Sequence, residues 1–237
     1  MKKITYFLSV MCLAVCLAFQ SCDDGDGYSL GDFTAPQLAT VRSLGGSAFY
    51  LDCDVWGTCW PVNTDLGWFV PVDGQRVITV FNPLWDNFEG YDHAVNILEM
   101  QKVLTQNVEL MAAGEEDKYG TEAVPTAEDG VTIGNGYMNV YFRYRLPATT
   151  RVSLVYRKDD LTQTTTTAGP SEDGYIHLEL RCNTQSEEQT PGSYSLVSYN
   201  LGTLSFPDGF RGIRLKVNLE GEGEKEFVYT LVQEGEY

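Results

Sequence analysis

Over its second half the chain alternates apolar and polar residues with a period of two, and this pattern restricts its fold more than any other feature. Met138, Val140, Phe142 and Tyr144 form one set, and Val152, Leu154 and Tyr156 a second. Ile176, Leu178 and Leu180 follow, then Ile213, Leu215, Val217 and Leu219, then Phe227, Tyr229 and Leu231. Successive side chains of a strand point to opposite faces, so each segment has one face for a core and one for water. A helix would scatter the same residues around its circumference. Half a dozen or more such strands within about 105 residues predict a β-sandwich over residues 131–237.

The first half reads as strands separated by turn signals, with no convincingly capped amphipathic helix. The segments are LATVRSL, SAFYLDC, TCWPVN, QRVITVFN after the Asp73-Gly74 turn, and a long run from His93 to Leu110. That last run admits a helix or a long bent strand. Its β-branched content, together with Asn96 and Asn107, favours strand. Five strands in about 75 residues fit an OB-like barrel over 38–111. Residues 112–130, AAGEEDKYGTEAVPTAEDG, are charged and small and carry Pro125, and so predict a linker. The expected architecture is all-β, a five-stranded barrel followed by a sandwich.

Ahead of the barrel stands MKKITYFLSVMCLAVCLAFQSCDDGD. Two lysines precede an apolar run shorter than the ~20 residues of a spanning helix, and Ser21 stands just before Cys22. Residues 1–21 are expected to be a lipoprotein signal peptide, with Cys22 the acylated first residue of the mature chain. Residues 22–37 then form a polar tether. Its Asp-Gly alternation makes a poor calcium loop, because Tyr28 falls at the fifth ligand position and no Glu at the twelfth. The net charge is -17, and loss of Lys2 and Lys3 makes it -19. Such a surface repels nucleic acid and anionic lipid, so membrane attachment rests on the acyl chains.

Of the six cysteines, Cys12 and Cys16 leave with the signal and Cys22 takes lipid. Cys53 and Cys59 flank the turn-like DVWGT and are placed either to pair across a hairpin or to stay free, since the register is open. Cys182 ends YIHLELRC on its apolar face and is expected to be a buried free thiol.

The chain contains no GxSxG, HExxH, P-loop or dinucleotide glycine fingerprint, and no cysteine or histidine cluster for a metal. Its two histidines, His93 and His177, read as surface residues. The acidic runs Glu115-Glu116, Glu128-Asp129, Glu187-Glu188 and Glu220 to Glu226 read as solvated loops rather than as a glycosidase pair. No cofactor is expected. Arg143, Arg145, Arg151, Arg157, Arg181, Arg211 and Arg214 fall mostly at outward strand positions, where they suit cross-strand carboxylates.

Aromatic residues are distributed less evenly. All four tryptophans, Trp56, Trp60, Trp68 and Trp85, fall between residues 56 and 85, with Phe69, Phe88 and Tyr91 close by. OB barrels bind along strands 2 and 3 and through the loops after strands 1 and 4. Trp56 and Trp60 belong to the hairpin between strands 2 and 3, and Trp85, Phe88 and Tyr91 to the segment after strand 4, so these five could converge on a sugar or peptide. The plainer reading stands first: several of them cap a small core or pack on the second domain.

The ordered set SCDDGDGYSLGDF, FYLD, WP, GQRV, GYMNVYF and HLELRCN (Ser21 to Asn183) resembles the NigD-like lipoprotein family over nearly the whole mature chain. The resemblance implies an N-terminal OB domain, a C-terminal β-sandwich and an association with bacteriocin immunity. Two positions depart from the family pattern. Cys182 stands where a histidine is usual, and the turn after Leu51-Asp52 is lengthened and flanked by Cys53 and Cys59. The acidic residues after Cys22 resemble a surface-export signal. The expected function is a non-enzymatic, lipid-anchored binding or docking module on the outer membrane, its partner an envelope or extracellular protein or glycan. Bacteriocin immunity and a glycan-active hydrolase are the alternatives.

Overall fold

The computed structural model describes residues 35–63, 66–143, 150–157, 173–184, 195–206 and 209–230. The expected signal, Cys22 and most of the tether lie outside the described residues, as do Tyr144, Arg145, Glu187, Glu188 and Leu231.

Five strands make a closed barrel: β1 (Gln37–Gly45), β2 (Ala48–Cys53), β3 (Gly57–Pro61), β4 (Arg76–Phe88) and β5 (Tyr91–Lys102). Their order is β1-β2-β3-β5-β4, and β1 pairs antiparallel with both β2 and β4. β3 runs parallel to β5, with Cys59 beside His93 and Pro61 beside Val95. This is the OB arrangement. Alternation sends Val41, Leu51, Cys53, Cys59, Val77, Phe81, Val95 and Ile97 into one buried cluster. β4 is bulged between Pro83 and Trp85, where a proline without an N–H can be accommodated.

The domain boundary differs from the expected 112–130. The run from His93 to Leu110 is extended, as its composition predicts, but it is cut at Val103 and Val108 and serves three sheets. β5 ends at Lys102, β6 (Leu104–Asn107) pairs with β12 (Ser195–Asn200), and β7 (Glu109–Met111) pairs with β10 (Arg151–Arg157). The barrel therefore stops at Val103. A period-two pattern identifies strand but not the sheet that receives it, which is why the boundary was not legible. Residues 112–130 are not a free linker either. They form the one-turn α1 (Glu116–Tyr119), bury Tyr119 against Met111 and Val155, and bridge Val124 to Leu219.

The sandwich adds β8 (Val131–Gly134), β9 (Tyr137–Phe142), β11 (Tyr175–Asn183), β13 (Gly212–Leu219) and β14 (Gly223–Thr230). One sheet has the order β14-β13-β11-β10-β7 and the other β6-β12-β9-β8. Between them lies a core built from the alternating sets, including Met138, Leu154, Leu178, Cys182, Tyr199 and Leu215. Tyr199 is fully enclosed and its hydroxyl donates to the Val152 carbonyl at 2.9 Å. That satisfies its one polar atom, and burial pushes the phenol pKa upward.

Barrel and sandwich are joined by a buried arginine. Arg76, the first residue of β4, is 0% exposed. Its two Nη atoms donate to the two carboxylate oxygens of Asp54 at 2.7 and 2.6 Å. They also donate to Thr40 Oγ1 at 3.0 Å and to Asn139 Oδ1 of the sandwich at 3.3 Å. The Tyr137 ring lies 4.8 Å from the guanidinium carbon, and the Tyr137 hydroxyl donates to the Gly74 carbonyl at 3.0 Å. Asn135 donates from Nδ2 to the Asp52 carbonyl at 3.0 Å. Three of the segments that carry the family resemblance, FYLD, GQRV and GYMNVYF, thus meet at this joint. A polar residue at the start of a strand gave no sign in sequence of such burial.

Candidate ligand face of the barrel

Because Cys59 and Pro61 point into the barrel, Trp60 between them points outward. Tyr50 has the same phase on β2, between buried Phe49 and Leu51. Tyr91 opens β5 immediately after the two-residue turn Glu89-Gly90. Its ring lies 4.9 Å from Trp60 and 5.2 Å from Tyr50. Phe88 stands opposite Tyr91 across that hairpin and stacks with Trp85, ring centres 6.1 Å apart and planes 24° from parallel. Ala94 of β5 is in register with Trp60 on one side and Trp85 on the other. It has outward phase yet is 0% exposed, so this small residue lies beneath the aromatic strip.

The strip thus runs Tyr50, Trp60, Tyr91, Phe88, Trp85 over the outer surface of β2, β3 and the β4–β5 hairpin. Trp85 is 57% exposed, and Trp60, Tyr91, Phe88 and Tyr50 are half-buried. On the same surface Asn82 and Asn96 face one another in register, one residue pair beyond the Pro83 bulge.

Of the five aromatic residues expected to converge, Trp60 meets Tyr91 and Trp85 stacks on Phe88, and the Phe88–Tyr91 register places these two pairs on one hairpin. Trp56 does not join them: its edge meets Phe81 of the barrel core at 5.5 Å and the His93 ring at 5.0 Å. It caps the core, as the plainer reading holds. Tyr50 was missed, although its place between two buried positions of SAFYLDC marks it as outward. Trp85 and Phe88 lie within β4 itself, which extends to Phe88, rather than in a loop after it. Trp68, 60% exposed, belongs to the connection between β3 and β4 and sits on Phe69, which packs against Phe49.

Polar contacts fix the geometry of the strip. The Asp92 carboxylate accepts from the Thr58 backbone N–H and hydroxyl, each at 2.7 Å, tying the start of β5 to the start of β3. Those hydrogen bonds hold its pKa below the ordinary carboxylate range, the backbone donor first. Gly57 has φ +67°, and a Cβ there would stand 2.5 Å from Asp92 Oδ2, so only glycine allows this approach. His93 Nδ1 is 2.7 Å from Asp86 Oδ1. Cys53 and Cys59 are unbridged, their sulfurs 3.7 Å apart. Their mutual hydrogen bond and burial push the Cys53 thiol pKa upward.

The outward face of the larger sandwich sheet is of a different kind. Arg151 pairs with Glu109, Arg157 with Glu179 and Glu116, Arg181 with Glu179, and Arg214 with Glu226 and Asp173. These are the cross-strand partnerships expected of the outward arginines. Arg181 also donates to the Gly120 carbonyl at 2.9 Å, and Asn183 to that of Asp117 at 3.2 Å, fastening the α1 segment over the sheet. Cys182 is buried and unbridged, its Sγ 3.3 Å from Thr184 Oγ1. Among the described residues no group of three or more His, Cys, Asp or Glu side chains is arranged to hold a metal ion.

Comparison with known proteins matches this two-part architecture. A NigD-like N-terminal OB domain matches residues 38–103, and a NigD-like C-terminal beta sandwich domain matches residues 105–231. A protein of unknown function from Bacteroides vulgatus is 23% identical, with a TM-score of 0.67 over 85% of this chain and 92% of that one. A NigD-like immunity protein from Bacteroides caccae is 15% identical, with a TM-score of 0.54 over 86% and 99%. A Bacteroides fragilis protein named as a candidate lipoprotein is 12% identical, with a TM-score of 0.56 over 82% and 96%. At these identities the likeness is one of fold. Among curated proteins nothing matches.

Proposed function

The chain belongs to the NigD-like family, and from that premise we propose that it is a non-enzymatic binding module, lipid-anchored in the cell envelope, whose barrel holds a saccharide. One observation carries this reading: five aromatic residues line the outer surface of β2, β3 and the β4–β5 hairpin, the region where OB barrels take oligomeric ligands. Apolar ring faces suit the C–H faces of pyranoses, and the amides of Asn82 and Asn96, in register on adjacent strands, supply both donors and acceptors for hydroxyls. Nucleic acid fits poorly, because residues 22–119 carry 4 basic and 16 acidic side chains.

The test is titration of the full mature protein with envelope and host-type oligosaccharides, followed by tryptophan fluorescence and calorimetry. Saturable binding that Trp60→Ala and Tyr91→Ala each weaken by about tenfold or more is the expected result. A panel that leaves both signals unchanged into the millimolar range would sink the saccharide reading.

Anchoring rests on Cys22, and the Bacteroides fragilis relative's name supports it. Cys22→Ser should release the protein from membranes with both domains folded, and protease should reach the wild-type protein on intact cells if it is displayed on the outer face. A second reading, bacteriocin immunity, draws on the name of the Bacteroides caccae relative. It predicts that deletion sensitises the producing cell to a toxin, and unchanged killing curves count against it.

A further inference from the structure

Cys53 closes β2 and Cys59 lies at the centre of β3, on either side of the turn Asp54-Val55-Trp56. The register pairs Cys53 with Gly57 and Leu51 with Cys59, so the two cysteines are diagonal neighbours on the inner face of one hairpin. Both are buried, at 2% and 0% exposure, and 3.7 Å separates their sulfurs. A disulfide needs about 2.05 Å, so the two sulfurs and the turn between them must shift before the bond can close. The third described thiol, Cys182, lies in the core of the other domain, beside Thr184.

We propose that Cys53 and Cys59 form an intrachain disulfide when the exported chain folds, the oxidant being a protein or small-molecule disulfide. The thiolate of one cysteine attacks that disulfide, forms a mixed disulfide and expels one thiolate. The second cysteine, as thiolate, attacks the protein sulfur of the mixed disulfide and expels the other. Two protein thiols thus lose two electrons and two protons and become one S–S bond, while the oxidant is reduced to two thiols. In the closed barrel both sulfurs are shielded from such a reagent, so exchange precedes barrel closure or follows opening of the β2–β3 hairpin.

The bridge would act on two of the five residues it encloses. Asp54 is the bidentate partner of Arg76 at the domain joint, and Trp56 caps the barrel core at Phe81. Fixing both ends of their turn restricts the unfolded chain and holds both side chains in place.

Full-length protein isolated from the cell envelope is denatured, alkylated before and after reduction, and mapped by peptide mass. The expected result is that Cys53 and Cys59 are alkylated only after reduction, whereas Cys182 is alkylated in both cases. Equal labelling of all three without reductant would overturn the proposal, as would a bridge that includes Cys182. A second measurement separates this from the export reading. Refolding in a glutathione redox buffer should form the same bridge outside the cell, and failure to form it there overturns the proposal whatever the protein's location. Reduction should lower the Tm of the bridged wild type by about 5 °C and leave Cys53→Ser/Cys59→Ser unchanged.

Discussion

The outer faces of the two domains come from one chain and one strand pattern, yet they differ in how far their side chains are satisfied. On the sandwich, Glu179 holds Arg157 and Arg181, Glu109 holds Arg151, and Arg214 holds two carboxylates. The charged side chains of that face are paired among themselves. On the barrel, the corresponding positions carry Tyr91 against Tyr50 and Trp60, and Trp85 stacked on Phe88, two groups that still leave apolar area in water. Solvated aromatic area has more to gain from a partner than a paired arginine does. This difference supports the proposal that recognition belongs to the barrel, with the sandwich as its support.

The strongest way to break this comparison is at the joint that makes the domains one body. Arg76→Ala removes the guanidinium and leaves Asp54 and Asn139 without their shared partner. The expected loss is about 3–5 kcal/mol, the cost of breaking one side of a buried pair. All four tryptophans lie between residues 56 and 85, so fluorescence reports barrel unfolding alone while circular dichroism reports both domains. Urea curves from the two probes should coincide in the wild type and separate in the variant. A loss below about 1 kcal/mol, or curves that stay coincident, would show that the joint does not couple the domains.

Next in size are changes on the strip. Trp60→Ala and Tyr91→Ala should each weaken saccharide binding by about tenfold or more, in line with aromatic hot spots. Trp85→Ala should weaken binding while changing stability by less than about 1 kcal/mol, because the ring is 57% exposed. Arg157→Ala on the sandwich sharpens the contrast: stability should fall by about 1 kcal/mol or less, and binding should not move. If Arg157→Ala weakened binding as much as Trp60→Ala, the division of labour between the faces would be wrong.

What could be read from the chain beforehand follows the same division. Alternation revealed the inward set of β9, β10, β11, β13 and β14, because Leu178, Leu180, Leu215 and Val217 each repeat a local signal that needs no partner to interpret, whereas β12 with buried Val197 and Tyr199 was not read. The strip was partly legible, because tryptophan clustering is also a local signal. Trp56 was grouped with it because hairpin position does not reveal whether a ring turns over the core or over the face. Arg76 and the boundary at Val103 were not legible. Both depend on which distant strand docks where: Arg76 meets Asn139 across 63 positions of sequence, and β6 finds β12 in the other half of the chain. Periodicity identifies the face of a strand, whereas only tertiary pairing identifies its neighbour.

The smallest expected effect is the response to acid, and it should differ between the domains. At Glu179 burial disfavours the charge, but hydrogen bonds from Arg157 and Arg181 outweigh it and hold the carboxyl below its ordinary value. Glu109 is held low in the same way by Arg151 and Ser153. A carboxylate whose pKa is depressed by folding contributes stability above the unfolded value, about 4.3, and loses it as pH falls through the folded value. Sandwich stability should therefore be flat from neutral pH down to about 5 and decline below about 4, and Glu179→Gln should shallow that decline. Asp92 in the barrel is also depressed, but it is fully exposed and fixes only the junction of β3 and β5. Its protonation should loosen Tyr91 against Trp60, visible as a change in tryptophan emission, without moving the global transition. Hydrogen exchange followed from pH 6 to 3 measures both. Loss of protection in the barrel strands before those of β10 and β11 would reverse the assignment.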